Sequence, residues 1–144
     1  MAKSQVATSR IGEPAPLSSA ERAEFYRRKM DAEWGPYDLQ HALDDNKDRV
    51  VILDTRDAES FAKEHIPGAV NIPTDELPNR INELPKNKDV VPYCWSIVCH
   101  LATRASLYLS EQGYVVHELA GGIEYWKNYK MPLESSGAKT RART

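Results

Sequence analysis

The stretch at residues 50–73, VVILDTRDAESFAKEHIPGAVNIP, determines the predicted fold of this chain. It opens with a β-branched run, RVVILD at 49–54, which is typical of a buried strand. A short helical pattern follows at 58–65, and a turn with Pro and Gly leads into a second strand at about 69–72. A strand, a helix and another strand in this order indicate a βαβ unit, in which the two strands lie parallel.

The same alternation continues towards the C-terminus. We predict strands at 89–94 and 114–119, separated by a helix at 99–113 in which Gly113 is the C-cap. The residues GGIEYWKNY, from Gly121 onwards, open a last helix. The apolar runs of the strands show little polar alternation, as expected when both faces of a sheet are covered. We therefore predict an α/β fold with a mostly parallel β-sheet of about four or five strands, flanked by helices on both faces.

Two prolines interrupt these patterns. Pro92 lies inside the predicted strand at 89–94 and has no N–H to donate to a sheet, so we expect a bulge there or an early end of the strand. The segment TDELPNRINEL, which begins at Thr74, is helical with an expected break near Pro78.

The sequence before the first long strand also predicts helices. SSAERAEFYRRKMDAEW has Ser18 and Glu21 in capping-box spacing, and GPYDLQHALDDNK indicates a second, short helix that ends at Asn46. We expect both helices to cover one side of the core. The apolar residues near one face of the first helix are Ala23, Tyr26, Met30 and Trp34.

These patterns divide the chain into four parts. Residues 1–17 are predicted to be a flexible arm, and 18–46 a helical extension that packs on the domain. The α/β domain itself is predicted to occupy 47–134. The small, polar and basic segment at 135–144 is predicted to be a disordered tail.

Composition limits the classes of function. The 144 residues are 41% hydrophobic and 28% charged with a net charge of −2, which fits one globular domain and argues against nucleic-acid binding. No apolar run approaches the ~20 residues of a membrane span, and the N-terminus lacks the apolar core of a secretory signal. We therefore expect a cytoplasmic monomer that does not bind membranes.

The two cysteines lie together in VVPYCWSIVCHLATRAS at 90–106. Cys94 is at the carboxyl end of a predicted strand, where ligands gather in open α/β sheets, and a helix begins a few residues later. Inward-facing loop amides and the helix N-terminus would both stabilise a thiolate and lower the pKa of Cys94 below about 8.5. This arrangement indicates a sulfur nucleophile.

Other interpretations of the cysteines remain open. A zinc site is disfavoured, because two thiolates need two more ligands and the four histidines are scattered. Cys99 could act as a resolving thiol in a reversible disulfide, or it could simply pack at the start of the helix. A rival register takes Cys99 as the nucleophile, since CHLATR ends in Arg104. That register leaves too few residues for the apolar helix face of Leu101, Ala105, Tyr108 and Leu109.

From Arg49 to Leu133 the chain resembles single-domain rhodaneses, a sulfurtransferase-like family. VVILDTRDAESFAKEHIPGAVNIP is similar to the first half of that family, including DTR at 54–56 and HIPGA at 65–69. VVPYC resembles the strand that delivers the catalytic cysteine, and LYLSEQGYVVHELAGGIEYW resembles the closing helix, strand and helix. The loop is similar to that of a subgroup in which YCW is followed by a second cysteine.

The resemblance implies a concrete activity. Cys94 would take sulfane sulfur from a small anionic donor such as thiosulfate and become a persulfide. The sulfur would then pass to a thiophilic acceptor: cyanide, a small thiol or a partner protein. No metal and no organic cofactor would be needed. The implied active-site loop is Trp95, Ser96, Ile97, Val98, Cys99 and His100.

The resemblance also implies supporting residues. Asp54 and Arg56 would shape the pocket, although they could instead only pair with each other or cap the next helix. Trp95 is expected at the mouth of the pocket, and His100 and Arg104 are the nearest possible cations. Elsewhere we expect a turn role for His65, core packing for Trp126, and a tight turn at Gly121 and Gly122.

The loop departs from the common family pattern in three ways, which keep two other functions open. It is longer than usual, it contains no glycine, and the usual arginine position falls at Leu101. A cysteine phosphatase or arsenate reductase is disfavoured, because His100 stands where such an enzyme needs arginine. A non-catalytic binding or regulatory module remains an alternative, because Ile97 and Val98 form an apolar loop tip.

Overall fold

The computed structural model describes residues 16–136, so the predicted arm at 1–17 and tail at 135–144 lie almost wholly outside the described residues. The chain divides into two compact units, with the boundary between Asp31 and Ala32. Among the described residues no helix combines the length and the apolar character needed to cross a membrane.

The first described helix, α1, spans Ser19–Ala32, and all of it except its last residue lies in the first unit. The predicted capping box is present: the Ser18 N–H donates to Glu21 Oε2 at 2.7 Å, and the Glu21 N–H donates to Ser18 Oγ at 3.1 Å. None of the residues of α1 is buried, and Met30 is 70% exposed. Packing of this helix on the domain therefore stays a prediction.

The second unit alternates strands and helices, as the sequence predicts. Single-turn 3-10 helices occur at Lys47–Arg49, Thr74–Glu76 and Ile81–Glu83. The remaining elements in chain order are β1 Glu33–Trp34, α2 Pro36–Asn46, β2 Val50–Asp54, α3 Ala58–Lys63, β3 Val70–Asn71, α4 Leu77–Arg80, β4 Asp89–Tyr93, α5 Leu101–Glu111, β5 Glu118–Leu119 and α6 Gly122–Asn128.

All paired strands are parallel. One sheet has the order β3-β2-β4, and β1 pairs with β5 in a second, two-stranded sheet. A parallel bridge between Val90 and Val116 connects β4 to the segment that leads into β5. The predicted α/β architecture with a parallel sheet is confirmed.

Both faces of the central sheet are covered. Ile52 and Val91 point into a core cluster with Leu39 of α2 and Trp126 of α6. Their neighbours along the same strands point to the opposite face, because side chains alternate along a strand. That second cluster contains Leu53, Val90, Leu77, Ala105 and Leu109, which brings in α4 and α5.

Trp34 does not continue α1, so the expected helical position is wrong. It lies in β1, where its carbonyl accepts a hydrogen bond from the Ala120 N–H at 2.8 Å. Its ring stacks on His117 with the ring centres 4.1 Å apart, and His117 Nε2 lies 3.1 Å from Asp89 Oδ2. Strand pairing and stacking thus override the helical periodicity.

Pro92 causes neither a bulge nor an early end, because β4 runs to Tyr93 and Pro92 pairs with Leu53 in register. Val90 makes its hydrogen bonds on the edge of β4 that faces away from β2. Its N–H donates to Val115 O and its carbonyl accepts from the His117 N–H, both at 2.9 Å. In a parallel ladder the backbone groups of alternate residues bond to the same neighbouring strand, so those of Pro92 face the same side as those of Val90. The ladder with β2 therefore loses no hydrogen bond.

Three other residues take the structural roles expected of them. His65 is buried, with Nδ1 2.7 Å from Phe61 O and Nε2 3.0 Å from Glu134 Oε1. Trp126 is buried in the core, and its indole N–H donates to Pro132 O at 2.6 Å. Gly113 follows α5 with φ of +88°, as a C-cap glycine does.

Candidate functional site

The candidate site lies at the carboxyl edge of β2 and β4. Asp54 and Tyr93, the last residues of these strands, are paired in register. The chain then forms a loop, residues 94–100, before α5 begins at Leu101. We call residues 94–100 the cysteine loop. Cys94 therefore follows directly on a strand, as the sequence predicts, whereas Cys99 is only two residues from the helix.

A buried ion pair lies beneath the cysteine loop. Arg56 binds Asp54 through two nitrogens: Nη2 donates to Oδ2 at 2.7 Å and Nε donates to Oδ1 at 3.0 Å. The Arg56 N–H also donates to Asp54 Oδ1, at 2.9 Å. Both residues are almost completely buried. A forked, charge-assisted contact of this kind fixes the geometry of both side chains.

Tyr93 joins the ion pair to the sheet edge. Its hydroxyl donates to Asp54 Oδ2 at 2.6 Å and accepts from the Ile66 N–H at 3.1 Å. Burial, together with the neighbouring Asp54 carboxylate, raises the pKa of Tyr93 far above its ordinary value, so the phenol stays a donor. Burial lowers the pKa of Arg56, but the contacts with Asp54 outweigh this and raise it.

Arg56 also supports the first residue of the loop after Cys94. Its guanidinium carbon lies 4.6 Å from the centre of the Trp95 ring, and its Nη2 donates to Glu64 O at 2.7 Å. Asp54 and Arg56 thus pair with each other, as one alternative predicts. Asp57, not Asp54, caps α3, by accepting from the Ser60 N–H at 2.8 Å.

The two cysteines are joined by a disulfide bond. Their Cα atoms lie 6.4 Å apart, and no free cysteine is present in the chain. Cys94 is 2% exposed, whereas Cys99 is partly exposed. Within residues 16–136 no group of His, Cys, Asp and Glu is arranged to hold a metal ion.

The rest of the cysteine loop is more open. The Cys99 N–H donates to Ser96 O at 3.1 Å and closes a turn, whereas the amides of Ser96, Ile97 and Val98 have no acceptor among the described residues. Ile97 is 65% and Val98 is 81% exposed. A backbone N–H that has no acceptor among residues 16–136 can donate a hydrogen bond to a bound anion.

The predicted cations lie at the helix end of the loop. Arg104 is exposed in the first turn of α5, and its N–H donates to His100 O at 3.0 Å. His100 is exposed as well. The structure does not join either cation to Cys94 by a hydrogen bond among the described residues.

Two glycines bring α6 against the loop backbone. Gly121 and Gly122 have φ of +79° and +59°, and a Cβ on Gly122 would lie 2.5 Å from Cys94 O. The following amides donate to the loop, Ile123 N–H to Cys94 O at 2.9 Å and Glu124 N–H to Trp95 O at 3.0 Å. The pair therefore permits a close approach as well as the predicted turn.

An open cleft of about 370 Å³ lies beside the loop. Trp95 forms part of its wall, and the place of this residue at the mouth of the active-site pocket stays a prediction. Lys127 in the cleft is paired with Glu64, with Nζ 2.6 Å from Oε1. The other lining residues are Ser96, Ile123, Glu124 and Asn128.

Sequence reasoning did not assign roles to Tyr93 and Thr55. The Thr55 hydroxyl and N–H both donate to Tyr93 O, at 2.8 and 3.0 Å, and lock the end of β4 to β2. One sequence feature could have indicated a role for Tyr93. It is a tyrosine at the end of a strand whose two faces are buried, and a buried phenol needs a hydrogen-bond partner. The register that supplies Asp54 as that partner is not visible in one sequence.

The family model for the rhodanese-like domain matches residues 36–129. The chain belongs to the rhodanese-like family. The matched segment begins at Pro36, the first residue of α2, and ends just after α6. It therefore includes the three-stranded sheet, the buried ion pair and the cysteine loop.

Two of the similar proteins carry different kinds of name. A sulfurtransferase of Allochromatium vinosum is 38% identical over 96 residues, which are 66% of this chain and 87% of that protein. The HTH-type transcriptional regulator Rv0324 of Mycobacterium tuberculosis is 31% identical over 120 residues, which are 83% of this chain but only 46% of the regulator. The match with this regulator thus spans less than half of its length.

Solved structures agree with the fold. The BH2092 protein from Bacillus halodurans superimposes with a TM-score of 0.76 at 31% sequence identity. The superposition covers 83% of this chain and 88% of that one.

Proposed function

We propose that this rhodanese-like domain transfers sulfane sulfur through a persulfide on Cys94. The observation that carries the proposal is the position of Cys94, which follows directly on β4 at the carboxyl edge of the sheet and opens the cysteine loop. Ligands of parallel α/β sheets bind at this edge. The sulfurtransferase name of the Allochromatium relative supports the same chemistry.

The transfer proceeds in two displacements. The Cys94 thiolate attacks the outer sulfur of thiosulfate, the sulfur–sulfur bond breaks, and sulfite leaves with the electron pair. An acceptor nucleophile, either cyanide or a thiolate, then attacks the outer sulfur of the persulfide and returns Cys94 as a thiolate. Because this step needs a free thiolate, the reduced protein is the active form, as a cytoplasmic location would ensure.

The surrounding residues hold and stabilise the sulfur. Asp54 and Arg56 form a rigid base beneath the loop, and Trp95 stacks on Arg56. The amides of Ser96, Ile97 and Val98 have no acceptor among the described residues and can bind the anionic persulfide. Arg104, exposed in the first turn of α5, contributes positive charge that attracts a small anionic donor.

Mass spectrometry of the intact protein tests the proposal. Reduced Cys99→Ser, which keeps Cys94 but cannot form the disulfide, is incubated without oxygen with thiosulfate or a small persulfide. We expect a mass gain of one sulfur atom. Cys94→Ser should gain none. Cys99→Ser combined with Ser110→Ala, an exposed serine of α5 outside the loop, should gain one sulfur atom as Cys99→Ser does. No adduct on Cys99→Ser with either donor would refute the transfer role.

A second candidate, a binding module without transfer activity, is favoured by one observation. Ile97 and Val98 are highly exposed at the tip of the cysteine loop, and exposed apolar residues are typical of partner contacts. The same mass experiment separates the two functions, because a binding module forms no persulfide. Phosphatase chemistry is not proposed, because His100 stands at the loop position where a cysteine phosphatase needs an arginine.

A further inference from the structure

The disulfide between Cys94 and Cys99 forms while the elements on both sides of it remain intact. At the strand end, Tyr93 O still accepts from the Thr55 N–H at 3.0 Å. At the helix end, the Arg104 N–H still donates to His100 O at 3.0 Å. The cysteine loop therefore allows the two sulfur atoms to bond without unfolding of β4 or α5.

We propose a second activity: Cys99 resolves the Cys94 persulfide and releases hydrosulfide. This inference rests on the proposed transfer function. The Cys99 thiolate attacks the inner sulfur, Sγ of Cys94, and forms the Cys94–Cys99 bond. The bond between Cys94 Sγ and the outer sulfur breaks, and the outer sulfur leaves with the electron pair as hydrosulfide. The two cysteines are oxidised, the sulfane sulfur is reduced, and no external oxidant is consumed.

The structure permits attack on the inner sulfur. Its disulfide joins Cys99 to Cys94 Sγ itself, which is the product of that attack. Attack on the outer sulfur would instead move the persulfide to Cys99 and leave Cys94 as a thiolate. The two routes differ in their products, because only the first releases hydrosulfide.

The difference in burial determines how the disulfide is reduced. Cys94 is almost fully buried, whereas Cys99 is partly exposed. A thiol reductant therefore reaches the Cys99 sulfur first, forms a mixed disulfide there and expels Cys94 as a thiolate. A second thiol then frees Cys99. Over one cycle, thiosulfate and two thiols give sulfite, hydrogen sulfide and one disulfide.

A single-turnover experiment tests this activity. The reduced protein is freed of reductant without oxygen and mixed with one equivalent of thiosulfate, and hydrosulfide and intact mass are measured. We expect the wild type to release up to one hydrosulfide per chain and to lose the mass of two hydrogen atoms. Cys99→Ser should keep one extra sulfur and release none, and Cys99→Ala should behave in the same way. Ser110→Ala, the matched control at an exposed serine of α5 outside the cysteine loop, should behave as the wild type.

The outcomes separate this inference from the transfer function. If Cys99→Ser forms a persulfide and the wild type keeps the extra sulfur without releasing hydrosulfide, resolution by Cys99 is overturned and transfer stands. Peptide mapping that places the extra sulfur of the wild type on Cys99 would overturn it as well, in favour of a relay. If neither protein takes up sulfur, the transfer function itself fails.

Discussion

The guanidinium carbon of Arg56 lies 4.6 Å from the centre of the Trp95 ring, so a buried ion pair supports the residue next to Cys94. Asp54 fixes the guanidinium by a forked contact from below, and Trp95 covers it from above. The position of the loop after Cys94 is thus coupled to charges in the core. Substitutions of the ion pair or of Trp95 are therefore expected to change the rate at which Cys94 takes up sulfur.

Replacement of Trp95 tests the upper half of this contact. A cation–π contact of this kind contributes about 1 kcal/mol, so Trp95→Ala should slow persulfide formation about fivefold. Trp95→Phe keeps a ring over Arg56, so the rate of persulfide formation should fall less than in Trp95→Ala. The measurement is the single-turnover rate of sulfite release from thiosulfate. Leu107→Ala, an exposed apolar residue of α5, is the control, and an equal loss in both alanine variants would contradict the coupling.

Arg56→Lys tests the forked contact between Arg56 and Asp54. Lysine keeps the charge but not the fork, so Asp54 loses part of its pairing in a buried site, and we expect a loss of about 3 kcal/mol in the free energy of unfolding. Urea unfolding of the reduced protein measures it. Arg80→Lys is a matched control, because Arg80 makes a forked contact with Glu83 at the surface and should lose less than about 1 kcal/mol. Similar losses at the two sites would show that burial of the pair is unimportant.

Tyr93→Phe gives a prediction with a pH dependence. It removes a hydrogen bond to a charged group and leaves the Ile66 N–H without its acceptor, so we expect a loss of about 2 kcal/mol near neutral pH. Burial raises the pKa of Tyr93 in the folded state above the ordinary value of 10.0. Above that pH the unfolded chain has lost the proton and the folded chain has not, so the contribution of Tyr93 to stability falls as pH rises.

The stability gap between the wild type and Tyr93→Phe should therefore narrow as the pH rises through 10.0. Urea unfolding of both proteins at neutral and alkaline pH measures this gap. Tyr129→Phe, which alters an exposed hydroxyl, should show a gap near zero at each pH. A gap that stays constant or widens at alkaline pH would rule out a buried neutral phenol as the donor.

A pair of glycines separates backbone strain from steric contact. Gly113 and Gly122 both have positive φ, but a Cβ on Gly113 meets nothing within 4 Å, whereas one on Gly122 lies 2.5 Å from Cys94 O. Gly113→Ala should destabilise the protein by about 1 kcal/mol. Gly122→Ala should destabilise it further and also reduce sulfur uptake by Cys94. Unfolding and intact-mass measurements on the two variants check this, and unchanged uptake in Gly122→Ala would contradict the contact with the loop.

The sequence predicts those parts of the fold that depend on local patterns. The β-branched runs gave β2 and β4, and Gly113 gave the end of α5, because strand burial and a C-cap glycine are visible in short windows. Trp34 was misassigned because its strand pairing and its stacking on His117 depend on residues distant in sequence. Periodicity alone does not contain such contacts.

The candidate site was predictable in part for the same reason. Cys94 was placed at a strand end from its neighbours in sequence, and the pairing of Asp54 with Arg56 was one of two stated alternatives. The hydrogen bond from Tyr93 to Asp54 depends on the register between β2 and β4, and the approach of Gly122 to Cys94 depends on the packing of α6. Both are tertiary contacts.

Pro92 marks a change of partner along one edge of β4. Val90, Pro92 and Cys94 face the same side, where Val90 is bonded by the segment before β5 and Cys94 O accepts from Ile123 of α6. Between these two, proline presents no N–H that requires an acceptor. The neighbour on this edge of the chain thus changes from a strand to a helix at Cys94. A residue with an N–H at position 92 would favour further strand pairing at the place where α6 binds Cys94 O.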